Sequence, residues 1–90
     1  MVMPYRVVFT SKSEEDLIKL DKLFTERILG KIRWLSENFD AITPEALTGE
    51  YKGLLKIRSG DYRVLYSVHT NTRVITIHRI GHRRNVYQQK

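Results

Sequence analysis

The side chains best suited to chemistry in this sequence are cations, and they are unevenly distributed. Residues 51–90 hold nine Lys/Arg (Lys52, Lys56, Arg58, Arg63, Arg73, Arg79, Arg83, Arg84 and Lys90) and one acid, Asp61, a net +8. Residues 1–50 hold seven Lys/Arg against nine Asp/Glu, a net −2. A solvated cationic surface is the plain explanation. Charge this poorly compensated repels itself, however, and a bound polyanion relieves that repulsion. Arg outnumbers Lys six to three in the basic half, and its planar fork matches phosphate oxygens.

Phosphate chemistry without a metal has definite requirements. To cut RNA, the ribose 2′-hydroxyl must lose its proton and attack the neighbouring phosphate. Negative charge then builds on the phosphoryl oxygens, and the departing 5′-oxygen needs a proton. Arg and Lys can stabilise that charge in a preorganised site. A base or acid moving the protons contributes ~10²–10⁴-fold. Lys56, flanked by Arg58 and Arg63, is the candidate base, because neighbouring positive charge favours the neutral amine. The tail Gly81-His82-Arg83-Arg84-Asn85-Val86-Tyr87 supplies an imidazole that could protonate the leaving group, two cations, and a phenol that could stack on a base or orient the 2′-hydroxyl. Lys52, Arg79 and Arg84 add phosphate contacts. Tyr87 fits equally as an anchor for the C-terminal segment, and His82 as an exposed loop histidine. His69 and His78 read as strand residues.

Other chemistries find little support. There are no cysteines, which excludes disulfides, thiolate zinc sites and a cysteine nucleophile. The three histidines show no helical i, i+4 pair and no carboxylate motif, which argues against a metal. No Gly-rich phosphate loop or Ser/His/Asp pattern occurs, so no cofactor is expected. The longest apolar run near the start is Val7-Val8-Phe9, too short for a signal peptide, and no stretch could span a bilayer. A cytoplasmic protein away from membranes is expected, formed by residues 1–90 as one domain.

The elements that must position these residues follow from periodicity. Tyr5–Phe9 reads as a strand. Ser11 and Glu14 have capping-box spacing. Leu17, Leu20 and Phe24, then Ile28, Ile32, Leu35 and Phe39, form an apolar helical stripe, with Thr25 able to cap a second helix. A helical hairpin is therefore expected between about Lys12 and Asn38. Gly30 inside it is tolerable if another backbone packs close. Trp34 reads as a packing residue at the helix flank rather than a platform for a base. Phe39–Gly53, with Pro44, Gly49 and Gly53, reads as a loop. The period then changes to two: Leu54–Ser59, Tyr62–Val68 and Arg73–Ile80 are strands. The phase of the last is ambiguous, since Val74/Ile80 and Ile75/Ile77 are all apolar. The sum is α+β, in the order β-α-α-β-β-β, with the hairpin on one face of a mainly antiparallel sheet. If the helices cover Leu55, Ile57, Val64 and Tyr66, then Lys56, Arg58 and Arg63 converge on the other face.

Two runs, Leu55-Lys56-Ile57-Arg58-Ser59-Gly60-Asp61-Tyr62-Arg63-Val64-Leu65-Tyr66 and Ile80-Gly81-His82-Arg83-Arg84-Asn85-Val86-Tyr87, resemble the RelE branch of the RelE/ParE toxin superfamily. The resemblance covers almost the whole chain, including Leu47-Thr48-Gly49. It implies a toxin of a toxin–antitoxin pair that cleaves mRNA in the ribosomal A site, and a cognate antitoxin whose extended, helical segment wraps the toxin. By this resemblance Lys56 matches a family lysine proposed as general base. Arg63 and Arg83 match arginines that stabilise the phosphate or assist the leaving group, and Arg58 lines the same face. Tyr87 matches a tyrosine that orients the nucleotide, and His82 falls where members have histidine or lysine. A second family lysine is replaced here by Leu54, and the Gly81–Tyr87 segment is shorter than in some relatives. A gyrase-poisoning, ParE-like toxin of the same fold and a non-catalytic RNA-binding module are the alternatives.

Overall fold

A computed structural model describes residues 3–87 of the chain. Strand β1 (Arg6–Phe9) leads into helices α1 (Ser11–Ile18) and α2 (Lys22–Asn38). A two-residue strand, β2 (Glu45–Ala46), precedes β3 (Leu55–Ser59), β4 (Tyr62–His69) and β5 (Val74–His82). The sheet order is β1-β5-β4-β3-β2. β1 runs parallel to β5, and the other pairings are antiparallel. This is the α+β arrangement expected, with a fifth strand added at the edge. β2 escapes periodicity because two residues behind Pro44 carry no alternation, and such short pieces sit at sheet edges.

The helices begin earlier than their capping residues suggest. Thr10 rather than Ser11 caps α1, its hydroxyl accepting from Ser13 N at 3.1 Å. Thr10 N is already committed to Ile77 O, which ends β1 and leaves the hydroxyl free to start the helix. α2 starts after Asp21, not at Thr25, whose N–H instead makes a helical bond to Asp21 O at 2.9 Å. Gly30 meets nothing within 4 Å of where a Cβ would stand, so no backbone packs close there.

Ile28, Ile32 and Leu35 of α2 are buried with Val64, Tyr66, Ile75, Ile77, Ile80 and Tyr5. Each such aliphatic side chain contributes about 1.5–3 kcal/mol when fully buried. The ambiguous phase of β5 has a physical cause. Tyr66 pairs with Ile77 but Leu65 with Arg79, leaving His78 as an extra residue, a β-bulge. Ile75, Ile77 and Ile80 therefore all face the helices, although Ile77 and Ile80 stand three apart.

β1 stops opposite Ile77, so the flank of β5 beyond it has no strand partner. α1 covers that flank. Thr10 Oγ1 donates to His78 O at 3.2 Å, and Ile80 N donates to Asp16 Oδ2 at 2.9 Å. The Arg79 guanidinium grips the same carboxylate through Nε at 2.8 Å and Nη2 at 3.2 Å. Both side chains are largely sequestered, at 18% and 9% exposure. Arg79 thus serves the scaffold, correcting its expected role as a phosphate contact. Removing one partner of a sequestered, hydrogen-bonded pair strands the other, so Asp16→Ala should lower unfolding free energy by roughly 3 kcal/mol in urea titration. A loss near that of an exposed pair, below about 1 kcal/mol, would show that the clamp contributes little.

Candidate nucleic-acid interface

The β3–β4 hairpin builds the site. Its two-residue turn places Gly60 at φ +61°, the left-handed geometry that a primed hairpin turn needs. Register then sorts the side chains. Leu55↔Tyr66, Ile57↔Val64 and Ser59↔Tyr62 lie under the helices, while Lys56↔Leu65 and Arg58↔Arg63 lie on the opposite, open face. Lys56, Arg58 and Arg63 are therefore neighbours across one hairpin. Arg63 Nη1 donates to Gly60 O and Tyr62 O, both at 3.1 Å, which fixes its guanidinium against the turn. Arg58 is exposed.

β2 brings a carboxylate that periodicity missed. Glu45 pairs with Lys56 in register, and Lys56 Nζ lies 3.3 Å from Glu45 Oε2. The carboxylate thus forms an ion pair with one cation of the row. No sequence signal short of recognising β2 would have placed Glu45 here.

The tail forms a second wall. Arg83 N donates to Asp61 O at 2.8 Å, returning the chain to the β3–β4 turn, and Arg83 Nε stands 3.8 Å from Asp61 Oδ1. Asn85 N and Val86 N both donate to His82 O, curling the chain so that Val86 seats on Gly81. A Cβ on Gly81 would come within 3.3 Å of Val86 Cβ, so glycine makes this seat possible. Gly81 pairs with Arg63, which puts Val86 over the open face. Leu65 and Val86 are accordingly buried without belonging to the helix-side core.

Tyr51, in the 3₁₀ turn Gly49–Tyr51, holds the end of the tail. Its hydroxyl donates to Tyr87 O, and the two rings meet edge-on at 5.7 Å. The Tyr87 hydroxyl is buried with no hydrogen-bond partner among the described residues. Tyr87 is thus tethered through its backbone with its phenol turned inward, the anchoring geometry rather than a hydroxyl presented to ribose. Sequence reading missed Tyr51, which stood in an apparent loop.

His82 lies elsewhere. It pairs with Tyr62, its ring edge-on at 5.6 Å, and so points to the helix side of the sheet. There it lines a cavity of about 350 Å³ with Phe24, Arg27 and Asp61. The structure does not bring His82 together with Lys56 and Arg63. Arg84 and Lys52 are exposed. Among the described residues no helix is long and apolar enough to cross a membrane.

An α+β sheet carrying a cationic hairpin face and a folded-back tail is the architecture of the RelE/ParE toxins. Residues 7–87 match the family described as ParE toxin of type II toxin-antitoxin system, parDE, and the chain belongs to that family. It is 31% identical over 93 residues to Toxin RelG of Mycobacterium tuberculosis, covering 97% of this chain and 100% of that toxin. A chain of the toxin–antitoxin complex RelBE2 from Mycobacterium tuberculosis superposes with a TM-score of 0.81 at 28% identity, over 94% of this chain and 98% of that one. A chain of the archaeal RelE–RelB complex from Pyrococcus horikoshii OT3 gives 0.72 at 29% identity, over 93% and 100%.

The bulge residue also makes the fold sensitive to pH. Burial lowers the His78 imidazole below its ordinary 6.5, and Ser67 Oγ lies 2.8 Å from its Nε2. The unfolded chain therefore takes up this proton first as pH falls. The stability owed to neutral His78 is present above pH 6.5 and declines below it. Urea unfolding followed from neutral pH down to about pH 5 should fall less steeply in His78→Asn than in the parent. Parallel profiles would rule out His78 as the source.

Proposed function

We propose that this toxin is a ribosome-dependent endoribonuclease that cleaves mRNA in the A site by attack of the 2′-hydroxyl on the adjacent phosphate. The observation that carries this is the single open face on which Arg58, Arg63 and the Lys56–Glu45 pair stand together, walled by the Arg83 tail. Arg58 and Arg63 hold the phosphate and stabilise the charge that grows on its oxygens. Glu45 Oε2 accepts the 2′-hydroxyl proton as the 2′-oxygen–phosphorus bond forms. The bond from phosphorus to the 5′-oxygen breaks, and the leaving oxygen takes a proton from the Lys56 ammonium. A proton passing across the 3.3 Å between the pair restores both groups. Lys56 thereby acts as cation and acid, and Glu45 takes the role of base that the family resemblance gave to Lys56. The mechanism uses only side chains of this chain. Arg83, 53% exposed beside the turn, completes the phosphate site, and Lys52 and Arg84 extend it along the message.

The relatives solved as toxin–antitoxin complexes support a cognate antitoxin as the partner of this chain. An antitoxin that covers the open face would block the cationic row. Such a protein acts in the cytoplasm, where ribosomes and mRNA are.

A second reading has one specific observation in its favour: the matching family is that of ParE toxins. A ParE-like chain would poison DNA gyrase and cut nothing. Gyrase poisoning makes no use of a carboxylate–ammonium pair set among phosphate-binding arginines, so the nuclease is favoured.

Primer extension on mRNA in a translation extract decides between them. Codon-dependent cuts that disappear without ribosomes are expected, whereas intact mRNA with stalled gyrase cleavage complexes would establish the second reading. Arg63→Ala and Glu45→Gln should each lower the cutting rate about 10²-fold. Wild-type cutting by Glu45→Gln would remove Glu45 as base. Tyr87→Phe should keep cutting within a few-fold, because the phenol is turned inward, while Tyr87→Ala should lose most of it. Equal losses in the two would restore a role for the hydroxyl.

A further inference from the structure

β2 pairs only with Leu55 and Lys56, so from Ile57 onward β3 has no strand outside it. At this free edge a cavity of about 340 Å³ opens between α2 and β3, within the roughly 300–1,000 Å³ range of small-ligand sites. Lys56 and Arg58 belong both to its lining and to the cationic row. Trp34 forms another wall. It is 41% exposed rather than packed into the core, and Lys31 Nζ stands 4.5 Å from its ring centroid. Tyr66 also lines the cavity, fully buried, with a hydroxyl that has no hydrogen-bond partner among the described residues. Burial pushes that phenol up to about 12, so it remains a protonated donor. The carboxylate in the lining, Glu45, is already paired with Lys56 and does not leave the cavity net repulsive to phosphate.

An exposed indole with Lys31 over its ring and Lys56 and Arg58 in the same lining is the composition that binds single-stranded nucleic acid: charge tracks the backbone while a base displaces the ammonium from the π-face. A peptide segment would have no need of the cations, and a free phosphate no need of the indole. We propose that this cavity is a base subsite for single-stranded RNA, in which a nucleotide whose phosphate lies on Lys56 and Arg58 turns its base around the free edge of β3 and stacks on Trp34. The subsite rests on the RNA reading given above, but not on cleavage. It also extends the RNA track from the open face around the sheet edge, so that bases flanking the cut contribute to affinity.

Trp34 is the sole tryptophan of the chain, which makes it a direct reporter. The 90-residue chain is titrated with a single-stranded RNA oligonucleotide of roughly 10 nucleotides and, in parallel, with an abasic oligonucleotide of the same length. The intact RNA should quench Trp34 fluorescence and the abasic strand should not. Trp34→Ala should weaken binding, read by anisotropy of labelled RNA, about 10-fold or more, while Trp34→Phe stays within about three-fold of the parent. The slope of log affinity against log salt should not change in either variant, because no phosphate contact is lost. Absence of quenching, equal quenching by the abasic strand, or unchanged affinity in Trp34→Ala each overturns the subsite. If the extract shows no mRNA cutting and yet quenching depends on the base, the nuclease reading fails and the subsite stands. If cutting occurs without quenching, the subsite alone fails.

Discussion

One extra residue in the central strand sets the terms for the rest of the molecule. Without the bulge at His78, Ile77 and Ile80 would face opposite sides of the sheet, and α2 would lose part of the apolar floor on which it rests. The bulge also lies where β1 gives out, and there the strand flank would be left with unpaired groups. Those groups are met by α1, through Thr10 and Asp16, so the first helix is fixed to the sheet by hydrogen bonds as well as by packing. A helix of eight residues is marginal by itself in water, and these contacts hold it in place.

The same division of labour separates scaffold cations from working ones. Arg79 is chelated by Asp16, and Arg73 lies over the Tyr5 ring at 4.1 Å while also reaching Asp40. Neither faces an incoming polyanion freely. Among the others, Arg58, Arg63, Arg83 and Lys56 are gathered by one hairpin and the tail that returns to its turn. Net charge alone would have counted all of them alike. What sets Arg79 and Arg73 apart is that an acid from the acidic half ties each guanidinium into the scaffold, as Asp16 and Asp40 do, whereas Glu45 meets Lys56 on the hairpin itself.

Much of the fold was legible in the sequence, because periods of 3.6 and 2 report burial on one face. Leu55, Ile57, Val64 and Tyr66 alternate cleanly, and from them the open face with Lys56, Arg58 and Arg63 follows. The features that escaped are those that break period. The bulge scrambles the phase of β5, and β2 is too short to have a phase at all. Glu45 and Tyr51, and one wall of the edge cavity, belong to the segment between Phe39 and Gly53, where short turns rather than a repeating pattern position the side chains. Tail residues were legible as chemical types but not as orientations. Nothing in Gly81-His82-Arg83 tells that His82 turns toward the helices while Arg83 returns to Asp61.

The parallel pairing of β1 with β5 has a consequence for the order in which the molecule takes shape. Arg6 must find Val74 and Phe9 must find Ile77, contacts between opposite ends of the described chain. Such contacts form late, since a long loop has to close before they stabilise anything. The β3–β4 hairpin needs only the Gly60 turn, and with it Arg58 meets Arg63 at once. The cationic row is therefore local in sequence, while the scaffold that supports it is not. A folding chain can thus form its cationic hairpin before its core is sealed, so the charge of that surface does not wait on the rest of the fold.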